Sequence, residues 1–190
     1  MARFSQVISK RRQEWSADSA TTVIFANSVT PITRGRRLEV RGRNRAAAIC
    51  IVDGYILLNR RIRPGFGEYY VIPGGGVEPG EDPKSAVRRE IREETGLRVQ
   101  VRREVWRGTT PKGSTHFYFL VSAPRLPVAL PKDAEENHPA RVAAGGTTTP
   151  RWVPVVSVRR LRLLPPALKP HIAHALTRGF PTRLVRIREL

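Results

Sequence analysis

The sequence predicts an α/β domain built on a mixed β-sheet, on three observations. Two apolar runs at residues 46–52 and 55–58 flank Asp53-Gly54. A helix at 82–96 carries start and stop signals at its two ends. Further strand-like runs follow that helix. Strands on both sides of a helix point to layered α/β packing rather than to an all-α or all-β core.

Residues 1–44 open on a basic polar stretch (Lys10, Arg11, Arg12). They contain a short β-like run at 21–25 and a second basic cluster at 34–45. Charge runs of this kind are usually solvated surface, so 1–44 reads as a basic N-terminal extension and 45–177 as the domain. Within the domain, Asp53-Gly54 is the dipeptide of a tight hairpin turn and pairs the first two strands. Residues 60–67 read as a basic Gly/Pro-containing loop. A short strand at 69–72 is ended by Pro73 and the run Gly74-Gly75-Gly76. Asp82 is placed to cap the helix with Pro83 at its first position, and Gly96 to stop it in a left-handed conformation. Strands are expected at 99–106, 116–122 and 151–158, with a long loop at 123–150 containing Glu135-Glu136. A C-terminal helix is expected at 166–178, where Pro170 is tolerable only in the first turn. Residues 178–190 are expected as a basic C-terminal tail.

Composition bounds the partners. The net charge is +18, and since Lys10, Lys84, Lys112, Lys132 and Lys169 are the lysines among 34 basic residues, arginine carries most of it. Such a field attracts polyanions, either nucleotides or nucleic acid. Cys50 is the single cysteine, which excludes an intramolecular disulfide and a cysteine-based zinc site. Its apolar neighbours predict a buried, inert thiol. No stretch approaches the ~20 apolar residues of a membrane span, and the N-terminus lacks a signal-peptide pattern. The expectation is a soluble cytoplasmic protein with no membrane partner.

The chemistry concentrates in the helix and the loop before it, GGVEPGEDPKSAVRREIREETGL at 75–97. On a wheel of about 100° per residue, Glu93, Glu90 and Glu94 fall on one stripe beside the apolar face of Ala86, Val87 and Ile91, while Arg88, Arg89 and Arg92 take the remaining side. Carboxylates three and four residues apart repel one another. A hard cation, Mg²⁺ or Mn²⁺, offsets that repulsion, because it prefers oxygen ligands and bridges to phosphates. The glycine-rich loop brings backbone close to the same place, so the Gly75 carbonyl is a candidate ligand. The alternative for such a string alone is a solvated helix exchanging surface ion pairs.

The whole segment resembles the Nudix box, G-x₅-E-x₇-R-E-U-x-E-E-x-G-U with U a bulky apolar residue. Gly75, Glu81, Arg89, Glu90, Ile91, Glu93, Glu94, Gly96 and Leu97 stand at its fixed positions. The chain is thereby identified as similar to the Nudix family over about residues 45–177. The resemblance implies an α/β/α sandwich around a mixed sheet, and Mg²⁺-dependent hydrolysis of a pyrophosphate linkage in a nucleoside diphosphate joined to another group. It implies that Glu93 and Glu94 bind metal, that Glu90 is a further ligand or the base, that Arg89 orients Glu90, and that Glu81 buttresses Arg89. Glu135 or Glu136 is a candidate extra carboxylate, and Glu135 is chosen. Arg60, Arg61 and Arg63 are candidates for reaching phosphates. Tyr69, Tyr70, Phe117 and Tyr118 are candidates for stacking a base, against the alternative of core packing, and His116 is expected to be structural. Two other readings stay open: an RNA 5′-end pyrophosphohydrolase, and a nucleotide-sensing module without catalysis. Dimerisation, frequent in the family, is also open.

Overall fold

The computed structural model describes residues 42–188 apart from 133, 135 and 136. The expected β-like run at 21–25 therefore lies outside the described residues. Chain order runs β1 (Arg45–Val52), β2 (Tyr55–Arg63), β3 (Gly67–Val71), β4 (Gly74–Gly76), α1 (Pro83–Thr95), β5 (Gln100–Thr109) and β6 (Thr115–Ser122). It continues through α2 (Pro139–Gly145), β7 (Thr147–Pro154), a 3₁₀ turn (Val155–Arg160), β8 (Leu163–Leu164), α3 (Leu168–Arg178) and β9 (Val185–Arg188). The described strands form one mixed sheet in the order β8-β3-β2-β1-β6-β5-β9, with β4 on β1 and β7 on β2.

Local signals set the first half. Asp53 (φ 49°) and Gly54 (φ 75°) both take positive φ, as the two-residue hairpin turn requires. Asp82 caps α1 by accepting the N–H groups of Lys84 and Ser85, and Gly96 (φ 74°) closes it by donating to the Arg92 carbonyl. Helices cover both faces of the sheet. α1 packs Ala86, Val87 and Ile91 against Ala46, Ala48, Cys50 and Leu57 on one face. On the other, α3 packs Leu168, Ile172 and Ala175 against Ala47, Ile49, Ile56 and Trp106. The expected α/β/α sandwich is the observed architecture.

One pairing detail makes room for a site. β1 meets β2 only at Ile51 and Val52 beside the turn. Its other half, Arg45 to Ala47, pairs instead with β4, while Arg45 to Cys50 pairs in parallel with β6. β1 and β2 therefore diverge from the hairpin outward, and the sheet opens between them.

Elements with weak local signals differ from expectation. β2 runs on to Arg63, through residues expected as loop, because β3 and β7 pair with it on both sides up to Ile62. The last long strand is Thr147–Pro154, earlier than the expected 151–158, since its register is fixed by eight pairs to β2 and its threonines suit an extended chain. The 123–150 segment contains α2, capped by His138. α3 begins at Leu168, with Pro170 in its first turn as required. Residues expected as a basic tail include β9, paired in parallel with β5, where Ile187 is buried in the core between the exposed Arg186 and Arg188. Alternation hidden between arginines made this strand read as a charge run. No helix among the described residues is long and apolar enough to cross a membrane.

Candidate active site

Arg89, on α1, organises the box. Its Nε and Nη2 donate to the two carboxylate oxygens of Glu81 at 3.0 and 2.9 Å, Nη2 also donates to the Gly76 carbonyl at 3.0 Å, and Nη1 donates to Glu90 at 2.9 Å and Glu93 at 3.1 Å. A guanidinium fork serves this because it is planar and presents several donors in fixed directions. Glu81 faces it from the loop, and its backbone is held by a turn to Glu78. The Arg89 hydrogen bonds hold the Glu81 carboxyl below its usual range, and the same pairing raises the affinity of Arg89 for its proton. Glu90 shifts the other way: burial raises its pKa and outweighs the opposing Arg89 bond.

Glu94 stands apart from that cluster. It is 2% exposed, accepts the Gly74 N–H at 2.7 Å, and has Arg61 Nη2 3.8 Å from its other oxygen. Burial pushes its pKa up to about 7, against the pull of Arg45, the Gly74 N–H and Arg61. The wheel explains the division: Glu94 lies next to Val87 and Ile91 and goes into the core, whereas Glu93, farthest from them, has a side chain 52% exposed.

Gly75 lies against Glu90, and a Cβ placed there would overlap all three carboxyl atoms. Glycine is what allows this approach. The donor set of Glu90, Glu93, Glu94 and the Gly75 carbonyl is all oxygen and mostly anionic, which fits a hard divalent cation. Among the described residues, however, no three such side chains are already gathered at one point. Glu90 and Glu93 turn to Arg89, and Glu94 turns to Gly74. The chemistry of the donors fits the cation, while their side chains are satisfied by protein partners.

Beside Arg61 a cavity of about 380 Å³ opens where β1 and β2 diverge. Arg45, Arg61, Tyr69, Val71, Ile72, His116, Tyr118 and the segment Leu164, Pro165, Pro166 and Leu168 line it. Arg45 also donates to the Ile72 carbonyl at 3.1 Å. Two arginines and several rings in one apolar cleft suit a ligand with an aromatic part and an anionic part.

The structure sorts the remaining candidates. Of the three arginines, Arg61 reaches the cavity, whereas Arg60 pairs with Glu68 at 2.9 Å and Arg63 is exposed. Of the rings, Tyr69, Tyr118 and His116 line the cavity. Phe117 faces the α1 side beneath Arg107, and Tyr70 donates to Glu68. Strand alternation carries that distinction once the core face is known. Glu135 and Glu136 lie outside the described residues. Sequence reasoning missed Arg45, the Gly74 N–H and the 164–168 segment, which only pairing and chain return bring together.

A family model described as NUDIX domain matches residues 42–175. An octanoyltransferase of Myxococcus xanthus is 33% identical over 116 residues, 58% of this chain and 32% of that protein. The nucleoside triphosphatase NudI of Salmonella agona (strain SL483) is 51% identical over 49 residues, 23% of this chain and 33% of NudI. The chain thus spans about a third of the length of these relatives. Among solved structures, a NUDIX hydrolase from Nitrosomonas europaea superposes with a TM-score of 0.55 at 15% identity, covering 77% of this chain and 78% of its own. That likeness is one of fold.

Proposed function

The chain belongs to the Nudix family, and from that premise we propose that it is a divalent-metal-dependent hydrolase of phosphoanhydrides. Its substrate in this reading is a nucleoside diphosphate linked to another group. The observation that carries the proposal is the position of Arg61: it lines a cavity together with Arg45 and three aromatic or imidazole rings, and its Nη2 lies 3.8 Å from Glu94, a buried carboxylate of the box helix. Relatives with triphosphatase names support the reaction class.

In this reading Glu90, Glu93, Glu94 and the Gly75 carbonyl hold the cation. When bound, Mg²⁺ or Mn²⁺ supplies charge neutralisation at the attacked phosphoryl group and a more acidic water. The protein supplies placement. Glu81 fixes Arg89, and Arg89 holds Glu90 through Oε1, which leaves Glu90 Oε2 for the cation or for the proton of the attacking water. Arg45 and Arg61 balance the charge of the diphosphate, and Tyr69 and Tyr118 flank its aromatic part. Water adds to one phosphorus, the bridging P–O bond breaks, and two phosphate-bearing fragments and a proton leave. Positioning and electrostatics do most of the work, as is usual for reactions at phosphorus.

The test is turnover of purified protein with Mg²⁺ or Mn²⁺ against nucleoside triphosphates, sugar nucleotides, dinucleotide polyphosphates and 5′-triphosphorylated RNA, with released phosphate and nucleotide measured. Cation-dependent release from a small nucleotide is expected. Release from RNA alone would move the reading to 5′-end processing. No release from any substrate, with nucleotide binding intact, would make the chain a sensor.

A further inference from the structure

Asn59 is the anomaly of the core. It is 0% exposed, and among the described residues both its Oδ1 and its Nδ2 lack hydrogen-bond partners. Buried amides are almost always bonded, because desolvation without a partner is unfavourable. Its surroundings favour an apolar residue, since Leu57, two positions earlier on the same face of β2, belongs to the core. Two positions later on that face stands Arg61, whose Nε is also buried without a partner among the described residues. The strand opposite repeats the relationship: Val71 faces Asn59 and Tyr69 faces Arg61, and both line the cavity.

The two orphans are complementary, because an amide oxygen accepts and a guanidinium Nε–H donates. We propose that Asn59 is a positioning residue for Arg61: its side chain takes the Arg61 Nε–H through one bridging water, and thereby aims the guanidinium tip at the anionic part of the ligand. The tip is already beside Glu94, with Nη2 at 3.8 Å from its carboxylate. Without a hold at Nε, Arg61 can fold onto Glu94 and cancel both charges. With it, Arg61 stays at the cavity wall while Glu94 remains available. This rests on the phosphate-binding part of the function proposed above, and assigns the discrimination between pyrophosphate-bearing and uncharged ligands partly to a residue that never touches the ligand.

The experiment is calorimetric titration of the full chain with inorganic pyrophosphate in EDTA, so that neither turnover nor metal enters. Asn59→Leu, Arg61→Met and the double variant are compared in a double-mutant cycle, with thermal melts alongside. Asn59→Leu is expected to weaken pyrophosphate binding about tenfold, the scale of one hydrogen bond to a charged group, with Tm at or above that of the unaltered protein. In the Arg61→Met background the same change is expected to have no effect. Asn59→Thr, which keeps an acceptor and suits a strand, is expected to bind within about threefold of the original; Asn59→Val, of the same shape as threonine but without the acceptor, replaces the leucine variant if that does not fold, with the same loss expected. Unchanged affinity in Asn59→Leu, or an equal loss with and without Arg61, would overturn the inference. Failure of the unaltered protein to bind pyrophosphate would overturn the phosphate-binding reading, and the inference with it, and is seen before any variant is made.

Discussion

Adding one methyl group at each of two adjacent glycines separates architecture from chemistry in the box. At Gly74 a Cβ would fall on the Ala46 carbonyl and the Ala47 Cα of β1, and the residue has φ 141°. Nothing there can swing aside. Backbone strain of about 1–3 kcal/mol and overpacking of about 1–3 kcal/mol give Gly74→Ala a loss of about 2–6 kcal/mol. In a domain of this size that is a fall in Tm of about 5–20 °C. At Gly75 the Cβ would meet only the Glu90 carboxylate, the end of a flexible side chain. Turning it away costs about 0.5–1.5 kcal/mol of rotamer strain, and Tm is expected to fall by less than about 5 °C. A displacement of about 1 Å in a positioned group can cost ~100-fold in rate, or about 2.7 kcal/mol in the barrier. Thermal melts and kcat with saturating Mg²⁺ on both variants check this. A Gly75→Ala protein with unaltered kcat would refute the placement of Glu90 in the reaction, and a Gly74→Ala protein with unaltered Tm would refute the close approach to β1.

Glu94→Gln keeps an acceptor for the Gly74 N–H but removes the charge. It should lower turnover by more than ~100-fold, beyond the usual effect of an outer partner, while far-UV circular dichroism stays unchanged; near-normal turnover would remove Glu94 from the cation site. Arg89→Ala leaves Glu81, Glu90 and Glu93 without their shared partner, so steady-state kinetics should show kcat falling more than KM rises; a pure KM effect would make Arg89 a substrate contact. The Cys50 thiol, pushed by burial from 9.0 to about 11, should resist alkylation at pH 8 in the folded protein. Because its folded pKa lies above the unfolded one, the stability it contributes is complete below pH 9 and is lost as pH rises towards 11; rapid labelling without denaturant at pH 8 would contradict its burial. Deleting residues 182–190 removes β9 and the buried Ile187 and should lower Tm by at least several degrees; an unchanged melting curve would mean that β9 contributes no stability.

What the sequence alone determined was whatever depends on neighbours along the chain. The Asp53-Gly54 turn, the Asp82 cap, the Gly96 stop and the order of carboxylates on α1 are properties of a few consecutive residues, and each stands where local rules place it. The resemblance to the box implied that Glu81 and Glu90 pair with Arg89; both hydrogen bonds are present, and Glu93 joins them at i+4, where helical spacing brings side chains together. Three-dimensional packing decided the rest. Strand bounds in β2, β7 and β9 came from partners far away in sequence, since a strand is stabilised by its ladder rather than by itself. The division of the carboxylate stripe into an exposed Glu93 and a buried Glu94 depended on which face of α1 met the sheet. The cavity, with Arg45 from β1, Arg61 from β2, His116 and Tyr118 from β6 and the 164–168 segment, exists because β1 and β2 part after their turn. No spacing in the sequence encodes that divergence, because it is set by which strands win the hydrogen bonds of β1.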